Sequence, residues 1–311
     1  METSLKQRLS EIAKGRVIFD PLLRDYTTMR VGGPAWAFAE PDSIEDLKAI
    51  LRFLRTHGVS YTVIGKGSNL LAADNGYRGV LICLERGFSY LDFHAEGDRV
   101  EVKAGAGTGL PFTLRRCGDL GYAGLEFLTG VPGTVGGAIR MNAGAFGGQT
   151  QDVADSIRAI TGQGEEKVLK RSELRFSYRR LSLDQDTIIV EATLGLTVST
   201  PEAVREKMNE YARKRKGNPK GKGVAGSIFR NPPGESAGRL IEMAGLKGST
   251  SGAAEISREH ANWIVNQGQA TAGDVRKLMN LAQEAVREKF GVWLEPEVIM
   301  IGFENNGKHG S

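Results

Sequence analysis

Gly130-Val131-Pro132-Gly133-Thr134-Val135-Gly136-Gly137-Ala138 runs almost at once into Met141-Asn142-Ala143-Gly144-Ala145, with Arg140 the one charge in the whole stretch. Glycine has no Cβ, so successive backbone N–H groups can converge here on phosphate oxygens, while Thr134 and Asn142 add side-chain donors. A second stretch has the same character: Val63-Ile64-Gly65-Lys66-Gly67-Ser68-Asn69-Leu70-Leu71, an apolar run that enters two glycines. Gly65-Lys66-Gly67-Ser68 lacks the four-residue spacer of a P-loop. Neither stretch fits the GxGxxG dinucleotide fingerprint, and Gly105-Ala106-Gly107-Thr108-Gly109 fails it too. A tight turn between buried strands explains any one of them alone. Two together, one long and nearly uncharged, favour a pyrophosphate cradle.

Outward from these stretches the chain alternates strand and helix signals. Residues 36–40 read as a strand. Asp42 and Ser43 offer caps for a helix with Ile44, Leu47, Ile50, Leu51 and Leu54 on one face, stopped at Gly58. Residues 61–64 and 80–84 are further strands, so a βαβ unit closes near Gly65. From Arg99 the pattern changes to alternating strands with glycine-rich connections, including a hairpin over 157–169 turned at Thr161-Gly162-Gln163-Gly164. Residues 188–197 form another strand. Thr200-Pro201 opens a helix to about Lys216. Thr271 and Asp274 cap a long helix whose inward face is Val275, Leu278, Met279, Ala282 and Val286, and which Gly291 ends. Residues 298–301 make the last strand. A boundary is expected near 200, a subdivision near 87, and a loose polar tail over 304–311.

Composition narrows the function. The chain has 311 residues, enough for two or three modules. No apolar run approaches the roughly 18 residues of a membrane helix. The first fifteen residues mix charge with Leu5, Leu9 and Ile12, unlike a signal peptide. Two cysteines, Cys83 and Cys117, stand far apart, which gives no disulfide framework and no CxxC metal spacing. The expected location is the cytoplasm, without membrane association. The formal charge is +4, and much of it is local: Arg213, Lys214, Arg215, Lys216, Lys220 and Lys222 crowd one segment. A solvated helix end accounts for such a segment, and so does a mouth that attracts a polyanionic small molecule. Nucleic acid is disfavoured, because only Tyr211 interleaves with these cations.

Three polar groupings follow: Phe176-Ser177-Tyr178-Arg179-Arg180, Gly226-Ser227-Ile228-Phe229-Arg230-Asn231-Pro232 and Leu294-Glu295-Pro296-Glu297-Val298. Each alone is ordinary surface or strand-entry sequence. Their order after the glycine stretches, with His260-Ala261-Asn262 and Ala270-Thr271-Ala272-Gly273-Asp274-Val275, resembles the UDP-N-acetylenolpyruvoylglucosamine reductase family over residues 20–302. The short span between Arg179 and Ser227 is similar to the class that lacks a long tyrosine-bearing loop.

The resemblance implies an α+β fold: a two-subdomain FAD-binding module of the PCMH/vanillyl-alcohol-oxidase type over 20–199 (subdomains 20–86 and 87–199), then an α+β substrate-binding domain over 200–303. It implies non-covalent FAD on Gly65, Lys66, Gly67, Ser68, Asn69 and Leu70. It also implies FAD contacts at Gly130, Pro132, Gly133, Thr134, Gly136, Gly137, Ala138, Asn142, Ala143 and Gly144. NADPH is the implied co-substrate, UDP-N-acetylglucosamine-enolpyruvate the implied substrate, and a monomer is expected. Arg179 and Glu297 resemble the pair flanking the substrate carboxylate, and Ser227 the proton donor. Tyr178, Arg215, Arg230 and Asn231 fall at implied substrate contacts, with Arg230 where lysine is usual.

The chemistry asks for these residue types on its own account. Hydride adds to the terminal carbon of a double bond conjugated to a carboxylate, and a fixed cation there stabilises charge that develops only in the transition state. A glutamate with a raised pKa can hydrogen-bond the enediolate-like intermediate. A serine can protonate the adjacent carbanionic carbon. The alternatives are another flavoprotein oxidase or dehydrogenase of this fold, or a flavin-binding protein without catalysis; neither requires Arg179, Ser227 and Glu297 together.

Overall fold

The computed structural model describes residues 2–219 and 223–303. Lys220, Gly221 and Lys222 of the basic segment and the tail 304–311 lie outside the described residues. The chain forms two compact units, each drawn from separate stretches. The first takes Met1–Phe19, Ala37–Lys66 and Gly79–Lys216; the second takes Asp20–Trp36, Gly67–Arg78 and Gly217–Ser311.

The first unit contains two sheets. One has the order Arg16–Phe19, Ala35–Glu40, Tyr77–Cys83, Ser60–Ile64. Its parallel pair runs from Ser60↔Gly79 to Ile64↔Cys83, and the helix Ile44–Thr56 connects the strand Ala35–Glu40 to Ser60–Ile64. That helix starts where Ser43 Oγ accepts the Asp46 N–H at 3.2 Å, and Leu47, Ile50, Leu51 and Leu54 are buried on its inner face. Gly58 lies just beyond it at φ 62°, a left-handed turn that favours glycine. Asp46 is itself buried, and its carboxylate accepts the N–H groups of Lys14, Gly15 and Asp42 at 2.9, 2.8 and 3.0 Å. The stretch leaving the helix Glu2–Ile12 is thereby tied down.

The second sheet is antiparallel, in the order Glu166–Lys170, Ala154–Ile160, Ile188–Val198, Arg99–Gly105, Leu91–Glu96. Its central strand alternates against both neighbours, with Ala192 opposite Ile157 and Ala104. The chain passes from the first sheet to the second between Cys83 and Leu91. The helix Pro201–Lys214, which the sequence placed beyond a boundary near 200, packs on the helix Leu110–Leu120. A Cβ on Gly118 would sit 3.4 Å from Met208 Sδ and 3.9 Å from Val204 Cγ1, so this small residue brings the two helices together. The unit therefore runs on to Lys216.

The second unit holds a three-stranded sheet, Thr250–Ser251, Ala254–Ile256 and Ile264–Asn266, and the helix Ala272–Phe290. Thr271 and Asp274 form the expected capping box, Gly291 closes the helix at φ 69°, and all five expected inward residues are buried. They pack with Phe229, Ile241, Ala254 and Leu294 in one core. Ile299–Ile301 pairs in parallel with Leu70–Ala72. Asn266 donates to the Met29 carbonyl at 3.0 Å, and Thr28 Oγ1 to the Val224 carbonyl at 2.6 Å. These ties put residues 20–36 and 67–78 in the later unit, an assignment that the contiguous division 20–199 did not contain. Among the described residues no helix is long and apolar enough to cross a membrane, and no cluster of His, Cys, Asp and Glu could hold a metal ion.

Candidate active site

In the first unit, the strand Ser60–Ile64 ends on Gly65, where a Cβ would lie 2.7 Å from Thr134 Oγ1. Thr134 caps the helix Val135–Arg140, its hydroxyl accepting the Gly137 N–H. Gly130 and Gly133 take φ of 74° and 138°, and a Cβ on Gly136 would meet Ala106 Cβ at 2.8 Å. The two glycine stretches thus lie backbone against side chain, as a cradle requires. Lys66 pairs with Glu85. Thr129 Oγ1 is buried with no hydrogen-bond partner among the described residues. Sequence reading did not single it out.

Asn142 is fully buried at φ 41°. Its Nδ2 reaches the side-chain oxygens of Gln149 and Gln151 at 3.1 and 3.2 Å and the Ser177 carbonyl at 3.0 Å; its Oδ1 accepts the Gln151 N–H at 3.1 Å. The side-chain amide is engaged by protein partners, and the Asn142 N–H donates to the Ile139 carbonyl at 3.1 Å. Ala143 N–H donates to the Ala138 carbonyl. Gly144 pairs with Gln149 in a short hairpin.

Tyr178 and Arg179 form the two-residue turn between Phe176–Ser177 and Arg180–Leu181. Arg179 has φ 57°, a left-handed conformation uncommon for a long side chain. Its Nη1 donates to the Gly144 carbonyl at 3.0 Å, and its guanidinium lies 5.2 Å from the centroid of the half-exposed Tyr178 ring. Arg215 lies 5.0 Å over the Phe146 ring, which stacks on Tyr211 at 4.4 Å and 3°. Its Nε is buried and unpartnered among the described residues. Burial, then the like charge of Arg179, lowers the proton affinity of Arg215. Two cations near each other are a place for an anion. Phe146 brings an aromatic onto the basic segment from sixty-odd positions away in sequence, and no spacing rule would have found it.

In the second unit, Gly67 has φ 61°, and a Cβ there would strike the Tyr26 carbonyl. Ser68 follows it, and Asn69 Nδ2 donates to the Glu297 carbonyl at 3.1 Å while the Asn69 carbonyl accepts the Ile299 N–H at 3.0 Å. Leu70 is buried opposite Ile299. Gly226, at φ 73°, turns the chain into Ser227. One residue on, the Ile228 carbonyl accepts the Glu297 N–H at 2.8 Å, and Phe229 bridges to Pro296. Ser227 and Glu297, seventy positions apart, are thereby brought onto adjacent backbone. Arg230 donates its N–H to the Glu295 carbonyl at 2.9 Å, and its Nη1 is 3.8 Å from the Glu295 carboxylate. Asn231 Oδ1 accepts the Ala237 N–H at 3.0 Å, at the start of the helix Ala237–Met243.

Two family profiles match the chain. A profile described as FAD binding domain matches residues 35–170, and one described as UDP-N-acetylenolpyruvoylglucosamine reductase, C-terminal domain, matches 218–301. The chain is 41% identical to the UDP-N-acetylenolpyruvoylglucosamine reductase of Syntrophus aciditrophicus, over 96% of this chain and 96% of that one. It is also 41% identical to the reductase of that name from Rubrobacter xylanophilus, over 97% and 99%. The chain belongs to the UDP-N-acetylenolpyruvoylglucosamine reductase family. The solved structure of the reductase from Thermus caldophilus matches with a TM-score of 0.79 and 39% identity, over 93% of this chain and 99% of that one. A glucooligosaccharide oxidase from Acremonium strictum matches at TM-score 0.50 and 15% identity over 91% of this chain, which bears on the fold alone. The α+β architecture with an FAD-binding module and a separate C-terminal domain is the one read from the sequence.

FAD is the cofactor, and the residues present fit it. The orphaned Thr129 hydroxyl and the approach of Gly65 to Thr134 supply a donor and close backbone in the segment that the FAD binding profile covers. Covalent attachment through cysteine is opposed by burial, which pushes the Cys83 thiol up to about 11 and the Cys117 thiol up to about 12.

Proposed function

We propose that this chain reduces the enolpyruvyl ether of UDP-N-acetylglucosamine-enolpyruvate to UDP-N-acetylmuramate, with NADPH as the reductant and FAD as the carrier, in peptidoglycan precursor synthesis. The reading rests on one observation: a reductase of that name matches 96% of the chain at 41% identity. The reaction adds a hydride and a proton across a carbon–carbon double bond. FAD held by the glycine-rich segments around Gly65 and Thr134 would supply the hydride-transfer chemistry between NADPH and the terminal carbon of the enolpyruvyl group.

The remaining tasks fall to side chains of this protein. Negative charge gathers on the substrate carboxylate as the terminal carbon becomes saturated, and a cation fixed beforehand stabilises it without reorganisation. Arg179 suits that role, because the Gly144 carbonyl and the Tyr178 ring hold its guanidinium in place. Glu297 hydrogen-bonds the enediolate-like species. Ser227 gives its proton to the adjacent carbon, completing the lactyl ether. Pairing of Ile228 with Glu297 supports giving these two residues one substrate. Arg215, Arg230, Asn231 and Tyr178 are assigned to substrate binding; Arg215 is a suitable partner for the diphosphate because its Nε is buried without an acceptor among the described residues. The chain acts as a monomer in the cytoplasm.

The test is anaerobic. Beyond the one equivalent that reduces bound FAD, NADPH oxidation is expected only when UDP-N-acetylglucosamine-enolpyruvate is added, one NADPH per sugar reduced. Turnover with oxygen and none with that sugar would sink the proposal in favour of an oxidase.

A further inference from the structure

Asn262 sits beside the short stretch that carries Ser227. It is 3% exposed, and its side-chain amide closes on both backbone groups of one residue: Oδ1 accepts the Phe229 N–H at 2.9 Å, and Nδ2 donates to the Phe229 carbonyl at 2.7 Å. The Asn262 carbonyl accepts the Ile228 N–H at 2.9 Å. A neighbouring β-strand would make such contacts with its backbone; here one asparagine makes them. On the other edge, the Ile228 carbonyl accepts the Glu297 N–H at 2.8 Å and the Arg230 N–H donates to the Glu295 carbonyl at 2.9 Å. The stretch that follows Ser227 is therefore gripped from both sides. Asn262 is held in turn, its N–H donating to His260 Nδ1 at 3.2 Å.

Only a carboxamide of this length can accept from an N–H and donate to a carbonyl of the same residue. Aspartate lacks the donor, alanine lacks both groups, and glutamine is one methylene too long. We infer that Asn262 is a positioning residue for sugar reduction: it fixes the backbone of Ile228 and Phe229 and so sets where the Ser227 hydroxyl stands relative to Glu297. The inference rests on the reading of Ser227 as proton donor. Displacement of a reacting group by about 1 Å costs on the order of 10²-fold, so a clamp one residue away matters to the rate. Reduction of the flavin by NADPH requires no proton from Ser227 and is untouched.

The experiment separates the half-reactions. Each FAD-loaded enzyme is reduced anaerobically with NADPH, then mixed with UDP-N-acetylglucosamine-enolpyruvate while the return of flavin absorbance is followed. Asn262→Asp is expected to slow reoxidation by about 10- to 100-fold and to leave reduction by NADPH unchanged. In Ser227→Ala the same substitution should add almost nothing, because no hydroxyl remains to be placed. Equal slowing of both half-reactions, or factors that multiply in the double variant, would overturn the inference. Wild-type reoxidation in Ser227→Ala alone would overturn instead the reading of Ser227. Should Asn262→Asp not retain flavin, His260→Ala decides: it keeps the clamp amide but removes the acceptor for its N–H. Slower reoxidation with normal reduction supports positioning, and wild-type behaviour in both steps refutes it.

Discussion

The carboxylate of Asp74 accepts the N–H of Ala272 at 2.8 Å, across 198 residues of chain, and that of Gly273 at 2.9 Å. Those N–H groups open the helix Ala272–Phe290, so an acidic residue from the early segment completes a helix end in the second unit. Asp74→Ala removes both bonds but leaves the Thr271–Asp274 capping box. Stability should fall by about 1 kcal/mol, the usual weight of a helix cap, read as a lower urea midpoint. An unchanged midpoint would mean that solvent replaces the contact fully.

Gly137 offers a cleaner probe of the cofactor cradle than its neighbours. A Cβ there would meet only Thr134 Oγ1, at an ordinary 3.5 Å, whereas one at Gly65 would come within 2.7 Å of that same oxygen. Gly137→Ala should therefore fold and gain up to about 1 kcal/mol from helix propensity. FAD affinity should nevertheless fall, because the added methyl occupies space that the cofactor needs. Titration of apoprotein with FAD, followed by flavin fluorescence, checks this; tighter or equal binding would remove Gly137 from the cradle.

What the sequence revealed and what it hid divide by the range of the contacts. The helix Ala272–Phe290 could be read almost to the residue, because its box, apolar period and closing glycine are all local. The hairpin Ala154–Ile160 with Glu166–Lys170 was legible for the same reason. Nothing local marks residues 20–36 and 67–78 as part of the later unit: the ties are Asn266 to Met29 and Leu70 to Ile299, hundreds of positions apart. The turn at Tyr178-Arg179 was missed because it lacks the glycine or asparagine that a left-handed turn residue usually announces. Thr200 and Pro201 declared a helix start, but tertiary contacts such as Val204 and Met208 against Gly118 decide which unit the helix joins. Among site residues, the family resemblance pointed to Ser227 and Glu297, whereas the backbone groups that the Asn262 and Asn142 side chains hold are tertiary contacts that no sequence spacing shows.

His260 gives a pH dependence with a definite sign. Burial, opposed by a backbone hydrogen bond and reinforced by Lys247, holds its pKa below the usual histidine value. Between the lowered folded value and an unfolded value of about 6.5, the unfolded chain binds more protons, so stability rises with pH. The contribution is complete above about 6.5 and is lost as pH falls through that value toward the folded one. Protonation at Nδ1 would also cost the bond from the Asn262 N–H. His260→Gln should flatten the acid limb when urea midpoints are compared at intervals from pH 8 to pH 5. A wild type that gains stability on acidification relative to the variant would contradict the sign.

Arg179 sets stability against function. Its φ of 57° costs roughly 1–2 kcal/mol for a residue with a Cβ, and its Nη1 bond to the Gly144 carbonyl returns about 1 kcal/mol. Asparagine tolerates the left-handed region far better than arginine, so Arg179→Asn relieves part of the strain and loses the bond. The two changes nearly cancel, and the variant should unfold within about 1 kcal/mol of the parent. Activity should behave differently. Removing one fixed charge from a developing carboxylate charge costs roughly 10²- to 10³-fold in turnover, while reduction of the flavin by NADPH places no such demand. Strain kept at a residue that stability would rather replace is the pattern of a functional site. The measurement is a thermal melt beside steady-state turnover: an unchanged melt with kcat reduced a hundredfold or more supports the role, and a melt lowered in step with activity would make Arg179 a structural residue of the hairpin.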